Sequence, residues 1–134
     1  MTSELAAQGA VALGGDTAEE LLQHARSRHV LNAEFRAVDL RGAVALGVAA
    51  DGIWCSFTAA YFVDLSTALA SWARNLKPEG WIAVTEIDDL FGHEPLSART
   101  KALLGAYCDD ALVTGRYDFR AGRKLKSCLE RSGF

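Results

Sequence analysis

The stretch LKPEGWIAVTE, residues 76–86, decides the fold class of this 134-residue chain because it joins a helical pattern to a strand pattern. Leu65, Leu69 and Trp72 recur at helical spacing with Leu76, the first residue of the stretch, and predict a helix over residues 65–76 with one apolar face. Pro78 cannot continue a helix, and Gly80 allows the turn that follows. Residues 81–86, WIAVTE, then predict a strand.

The preceding sequence alternates short apolar runs with helical ones. Strands are predicted at residues 11–13, 33–39 and 52–57. Between the first two, either Asp16 or Thr17 is expected to cap a helix. The apolar face of that helix would consist of Leu21, Leu22 and Ala25.

Two further helices complete the predicted pattern. Apolar residues at helical spacing mark them, in the first helix Leu103, Leu104, Tyr107 and Ala111, and in the second Leu125, Cys128 and Leu129. Because a strand, a helix and a strand in that order imply parallel neighbours, we expect an α/β fold whose sheet is mostly parallel and flanked by helices.

Composition narrows the class of protein. The chain is 50% hydrophobic, 23% charged and has a net charge of -3, so neither disorder nor a basic nucleic-acid surface is indicated. Its length predicts a single domain over residues 1–134. The longest apolar run, residues 42–63, is interrupted by Asp51, and the first ten residues lack a secretory signal pattern. We therefore predict a cytoplasmic protein that contacts no membrane.

The three cysteines predict neither a disulfide framework nor a metal site. Cys55, Cys108 and Cys128 are far apart and form no C-x-x-C pair. We interpret them as thiols of the core or the surface.

The order and spacing of four motifs resemble the class I S-adenosylmethionine-dependent methyltransferases. The motifs are GGDTAEELLQHAR at 14–26, FRAVDL at 35–40, ADGIWCSFTAAYF at 50–62 and LKPEGWIAVTE at 76–86. In that family the last motif typically begins L-K-P-G-G, so only Glu79 departs from it here. The resemblance implies a Rossmann-like fold and S-adenosyl-L-methionine as cofactor.

The resemblance also implies roles for two acidic positions. Asp16, followed by Thr17, would hold the two ribose hydroxyls, and Asp39, beside Leu40, would accept from the adenine amino group. A carboxylate suits both tasks because it only accepts hydrogen bonds. On the residues alone, Asp16 also fits a helix cap and Asp39 a turn after a strand.

The resemblance says less about a third cofactor segment and about the site of the methyl acceptor. Cys55, Ser56 and Phe57 match the segment that lies along the methionine part of the cofactor, although Ser56 and Phe57 also fit a buried strand end. The acceptor would be a small molecule. Catalytic residues stay unknown: His93 is a candidate general base and also fits a solvated loop, and Glu86 and Tyr61 are the other candidates.

A basic cluster lies near the end of the chain. Its members are Arg116, Arg120, Arg123 and Lys124. This cluster could meet an anionic substrate, but a solvated helix face explains it equally simply.

Parts of the family pattern are absent. Only 15 residues precede Asp16, so the first strand and its glycine-rich turn are expected to be missing, and the sequence ends at Phe134 before the family's final strands. The missing strand would leave a gap of about 10 Å in the sheet. Two hypotheses follow: a methyltransferase of which this chain is a truncated form, or a catalytically inactive fragment that serves as an interaction module. A homodimer through the open sheet edges would suit the second. A nicotinamide dehydrogenase also fits Asp16, but the motif at 76–86 argues against it.

Overall fold

A computed structural model describes residues 1–42 and 44–134. The chain divides into two compact units, Met1–Val44 and Ala45–Phe134, here called the N-terminal unit and the C-terminal unit. Across the described residues, no helix is both long and apolar enough to cross a membrane.

The N-terminal unit contains a parallel strand pair. Its elements are α1 (Thr2–Ala7), β1 (Ala12–Asp16), α2 (Glu19–Ser27) and β2 (Ala33–Ala37). Strand β1 pairs with β2 from Ala12 opposite Ala33 to Asp16 opposite Ala37. Among the described residues this sheet has these two strands. The parallel pairing confirms the predicted α/β class for this part of the chain.

The start of α2 differs from its prediction. Strand β1 extends to Asp16, whose carbonyl accepts from the Val38 backbone at 2.9 Å, and the helix N-cap is Ala18. The predicted cap at Asp16 or Thr17 is therefore wrong, since the strand ladder holds Asp16 two residues ahead of the cap. Its Oδ1 instead accepts from the Ala18 backbone at 2.9 Å and turns the chain.

The apolar face of α2 is narrower than predicted. Leu22 is 2% exposed, whereas its neighbour Leu21 is 61% exposed. Adjacent residues lie about 100° apart around a helix, so both cannot face one small sheet. Leu21 is therefore not part of the core.

The C-terminal unit contains a second pair of parallel strands. Its elements are β3 (Ala50–Ser56), a 3₁₀ turn (Ala59–Tyr61), α3 (Leu65–Ala73), β4 (Leu76–Thr85), α4 (Ala98–Val113), a second 3₁₀ turn (Gly122–Lys124) and α5 (Leu125–Arg131). Strands β3 and β4 are parallel and form a two-stranded sheet among the described residues. This pairing is the one that the motif at 76–86 predicts.

The LKPEG segment is a bulge inside β4 rather than a turn before it. Leu76 pairs with Ala50 and Trp81 pairs with Gly52, so the four residues 77–80 lie opposite the single residue Asp51. The predicted helix end at residue 76 is wrong because α3 stops at Ala73. The strand ladder begins earlier than expected, since the Ala50 backbone already donates to Asn75 O at 2.8 Å.

The bulge has a specific backbone demand. Glu79 adopts φ 62°, the left-handed conformation that glycine reaches without cost. A Cβ on Gly80 would lie 2.9 Å from the carbonyl oxygen of Lys77. Pro78 fits the bulge because it has no N–H for a ladder. Glu79, which has this left-handed conformation, stands where the L-K-P-G-G motif of the family has glycine.

Helix α3 supplies four buried apolar side chains to the core of the C-terminal unit: Leu65, Ala68, Leu69 and Trp72. Leu69 is fully buried, and Trp72 packs edge-on against Phe62 with ring centroids 5.3 Å apart. Helix α3 also contacts α5, where the Ser132 hydroxyl donates to Ser66 O at 2.9 Å. Cys55, Cys108 and Cys128 are buried free thiols. Of the two places that the sequence left open, the core and the surface, the structure puts all three in the core.

Candidate functional site

Two aspartates follow neighbouring parallel strands of the N-terminal unit. Asp16 ends β1 and lies opposite Ala37, the last residue of β2, and Asp39 comes two residues later. The hydrogen bond from Val38 N to Asp16 O extends the pairing by one step. Both carboxylates are therefore at the carboxyl edge of one small sheet, where α/β folds place ligands.

The Asp16 carboxylate has accepting capacity left. Its Oδ1 accepts from the Ala18 backbone at 2.9 Å, while Oδ2 has no hydrogen-bond partner among the described residues. Asp16 and Thr17 are both exposed. This arrangement leaves one carboxylate oxygen available to a hydroxyl donor from solution.

The Asp39 carboxylate is occupied by a nearby arginine. Arg41 donates through Nε to Oδ1 at 3.0 Å and through Nη2 to Oδ2 at 3.1 Å. These hydrogen bonds lower the pKa of Asp39 and keep it ionised. Leu40, between the two, is half-buried. An amine donor at Asp39 would have to share the carboxylate with Arg41.

The segment at the end of β3, Cys55 to Phe57, presents one buried and two exposed side chains. Cys55 is buried, and burial raises the pKa of its thiol. The Ser56 hydroxyl accepts from the Trp54 indole at 2.6 Å. Phe57 is 56% exposed and has φ 53°, and its backbone donates to Thr85 O at 2.9 Å. The exposed Phe57 ring is the part of this segment most able to meet a ligand.

Two of the three catalytic candidates come together beside β4. Glu86 Oε2 accepts from the Ala60 backbone at 3.0 Å, and Tyr61 packs edge-on against Tyr117 with ring centroids 4.8 Å apart. Burial, followed by the Glu86 charge, raises the pKa of Tyr117. Tyr117 is thus held protonated. The Glu86 oxygens brace backbone N–H groups, including that of Ile87 at 2.9 Å, which favours a positioning role for this carboxylate.

His93 belongs to a different place in the same unit. It lines a cavity between the loop at 89–96 and helix α4, and none of Glu86, Tyr61 and Tyr117 lines that cavity. The candidates named from sequence therefore separate into two groups.

The basic cluster is neutralised by aspartates. The pairs are Arg116 with Asp110, Arg120 with Asp109, Arg123 with Asp88, and Lys124 with Asp118. This pairing favours the solvated-face interpretation over an anionic substrate.

Two features of the site were missed from sequence. The D-L-R spacing at residues 39–41 is a signal for a local ion pair, because two residues along a turn can bring the side chains together. Gly105, within α4, lines the cavity, and a glycine inside a helical pattern is the available sign of a special position.

Comparison with known protein families gives one match over part of the chain. Residues 1–84 match a family described as "Methyltransferase domain", a stretch that includes all four described strands apart from Thr85. No curated protein matches the sequence. The chain belongs to the class I S-adenosylmethionine-dependent methyltransferase family.

Proposed function

We propose that this chain binds S-adenosyl-L-methionine and transfers its methyl group to a small-molecule acceptor. The observation that carries the proposal is the placement of Asp16 and Asp39 at one sheet edge in a chain of this family. The free Asp16 Oδ2 suits a ribose hydroxyl, and the Asp39 carboxylate suits an amino group.

In this proposal the protein residues bind the cofactor, and the cofactor supplies the reactive methyl group. When bound, S-adenosylmethionine supplies an electrophilic methyl group on a sulfonium, which leaves S-adenosylhomocysteine after transfer. Asp16 and Asp39 would fix the nucleoside at the carboxyl edge of the β1–β2 pair. Glu86 would keep the 3₁₀ turn at Ala59–Tyr61 in place through its bond to Ala60.

Amide chemical-shift mapping with S-adenosylhomocysteine tests the proposal. We expect saturable shifts at the amides of Thr17, Ala18 and Leu40, since these flank the two carboxylates. Asp39→Asn should reduce the affinity, whereas Asp110→Asn, on the exposed face of α4, should not. NADH at the same concentration should cause no saturable shift in this region.

The opposite result has a defined meaning. A folded chain whose amides do not respond to S-adenosylhomocysteine would contradict cofactor binding and favour the interaction-module alternative. A response to NADH in place of S-adenosylhomocysteine would favour a dehydrogenase.

The remaining assignments are part of the same proposal. We retain a single methyltransferase domain over residues 1–134, a cytoplasmic location, and no nucleic-acid or membrane partner. Each described sheet has two strands, so open strand edges support the proposed homodimer. Light scattering over a range of protein concentrations tests it, and a monomer at every concentration would contradict it.

A further inference from the structure

A cavity of about 240 Å³ lies in the C-terminal unit between the loop at 89–96 and α4. The residues that matter for its chemistry are Phe91, His93, Leu104, Gly105, Cys108 and Arg120. Its volume is slightly below the roughly 300–1,000 Å³ of drug-sized ligand pockets, so it suits a smaller molecule. The cavity also lies outside the residues that match the methyltransferase family, 1–84.

Gly105 lines the cavity from the α4 side. Glycine inside a helix is less favourable than alanine. A Cβ at Gly105 would meet no atom within 4 Å, so packing does not require glycine at this position. Because Gly105 lines the cavity, the missing side chain adds to the free space.

The wall opposite α4 is fixed before any ligand arrives. The Asp89 and Leu90 backbones both donate to Phe119 O, at 3.0 and 3.4 Å. The Phe91 ring lies 5.0 Å from that of Phe119 and 6.2 Å from that of Tyr107. A supported aromatic ring at the wall favours an aromatic ligand.

The charges around the cavity are balanced. The lining includes two carboxylates and two cations, and each has an ion-pair partner: Glu94 with Lys101, Asp89 with Arg123, and Arg120 with Asp109. These pairs are partly exposed and individually weak, but they leave the described lining without an unpaired carboxylate, lysine or arginine. A charged ligand would therefore find no free counter-charge there, and an uncharged one is favoured.

One polar group remains for a ligand. The His93 side chain lines the cavity and has no hydrogen-bond partner among the described residues. Histidine can both accept and donate, which matches a hydroxyl group.

We infer that this cavity binds a small uncharged aromatic molecule that carries a hydroxyl group, with its ring against Phe91 and its hydroxyl at His93. The binding step stands on the cavity alone.

The test uses p-cresol as the probe and the full chain. We expect saturable shifts at the amides of Gly92, Gly105 and Cys108, with a dissociation constant on the order of 1 mM. Benzoate and benzylamine, which carry a charge on a similar ring, should bind at least fivefold more weakly. Gly105→Leu should abolish the shifts, while Ala106→Leu, one residue along the same helix, should preserve them.

A second variant keeps the test independent of the fold of Gly105→Leu. His93→Ala should weaken p-cresol binding at least threefold and leave toluene binding unchanged. Absence of saturable p-cresol binding, equal binding of benzoate, or full binding to both variants would overturn the inference. If p-cresol binds and S-adenosylhomocysteine does not, the cavity site stands and the proposed function fails. The converse result rejects the cavity site alone.

Discussion

Asp39 and Arg41 are joined by three hydrogen bonds, one from the Arg41 backbone at 3.0 Å and two from its guanidinium at 3.0 and 3.1 Å. The pair lies just after β2 and includes the carboxylate that we propose for the adenine amino group. The bound arginine therefore both keeps the carboxylate ionised and competes for it.

The first prediction concerns the titration of Asp39. The Arg41 hydrogen bonds lower its pKa below the ordinary value of 3.8. The stabilisation from this pair is present above that value and is lost as pH falls through the lowered folded-state pKa. Carbon-13 NMR of the carboxyl should show the low pKa in the wild type and a rise in Arg41→Gln. An unchanged pKa in the variant would show that the pair does not form in solution.

The second prediction follows from the bulge in β4. Glu79→Gly should stabilise the C-terminal unit by about 1 kcal/mol, because it removes left-handed strain from a non-glycine residue. Gly80→Ala is the matched opposite, since its Cβ would approach the Lys77 carbonyl oxygen at 2.9 Å. Urea unfolding of both variants measures the effects. A loss of stability in Glu79→Gly would refute the strained conformation.

The third prediction separates the two causes of the Tyr117 shift. Burial raises its pKa most, and the nearby Glu86 charge adds to it. In Glu86→Gln the phenol should titrate at a lower pH than in the wild type but still above its ordinary value of 10.0. Ultraviolet absorbance of the phenolate follows the titration, with Tyr107→Phe and Tyr61→Phe used to assign the signal. An identical titration in Glu86→Gln would exclude the carboxylate contribution.

The fourth prediction tests the α3 core. Leu69→Ala should cost about 2–5 kcal/mol, because Leu69 is fully buried and leaves a cavity. Leu103→Ala removes the same atoms from a side chain that is 70% exposed and should change stability by less than about 0.5 kcal/mol. Denaturant unfolding of the two variants provides the comparison. Equal losses would place Leu69 outside the core.

Much of the fold can be predicted because the strand signals are local. The strand at β2, the helix α4 and the parallel pairing of β3 with β4 follow from periodicity and order. The end of α3 and the bulge at 77–80 could not be predicted from local sequence. Leu76 pairs with Ala50 of β3, and this tertiary contact places it in a strand instead of in the helix. Pro78 and Gly80 indicate that regular structure is interrupted, but they do not distinguish a turn from a bulge.

The site divides in the same way. Order along the chain puts Asp16 and Asp39 near the ends of two successive strands, and β1 pairs with β2 in parallel with Asp16 opposite Ala37. Their role in cofactor binding stays a prediction. Spacing could not show that Arg41 holds the Asp39 carboxylate, because that depends on the turn geometry. The split between His93 and the Glu86 group also depends on how α4 packs beside the loop at 89–96.

The central claim is that Asp16 holds the cofactor ribose, and a calorimetric titration with S-adenosylhomocysteine tests it most directly. The wild-type chain should bind in the micromolar range, and Asp16→Asn should bind about 10- to 100-fold more weakly through the lost charge-assisted hydrogen bonds. Glu20→Gln removes the same charge from the exposed first turn of α2 and should bind like the wild type. Equal affinity of Asp16→Asn and wild type, or no binding by the folded wild-type chain, would contradict the claim.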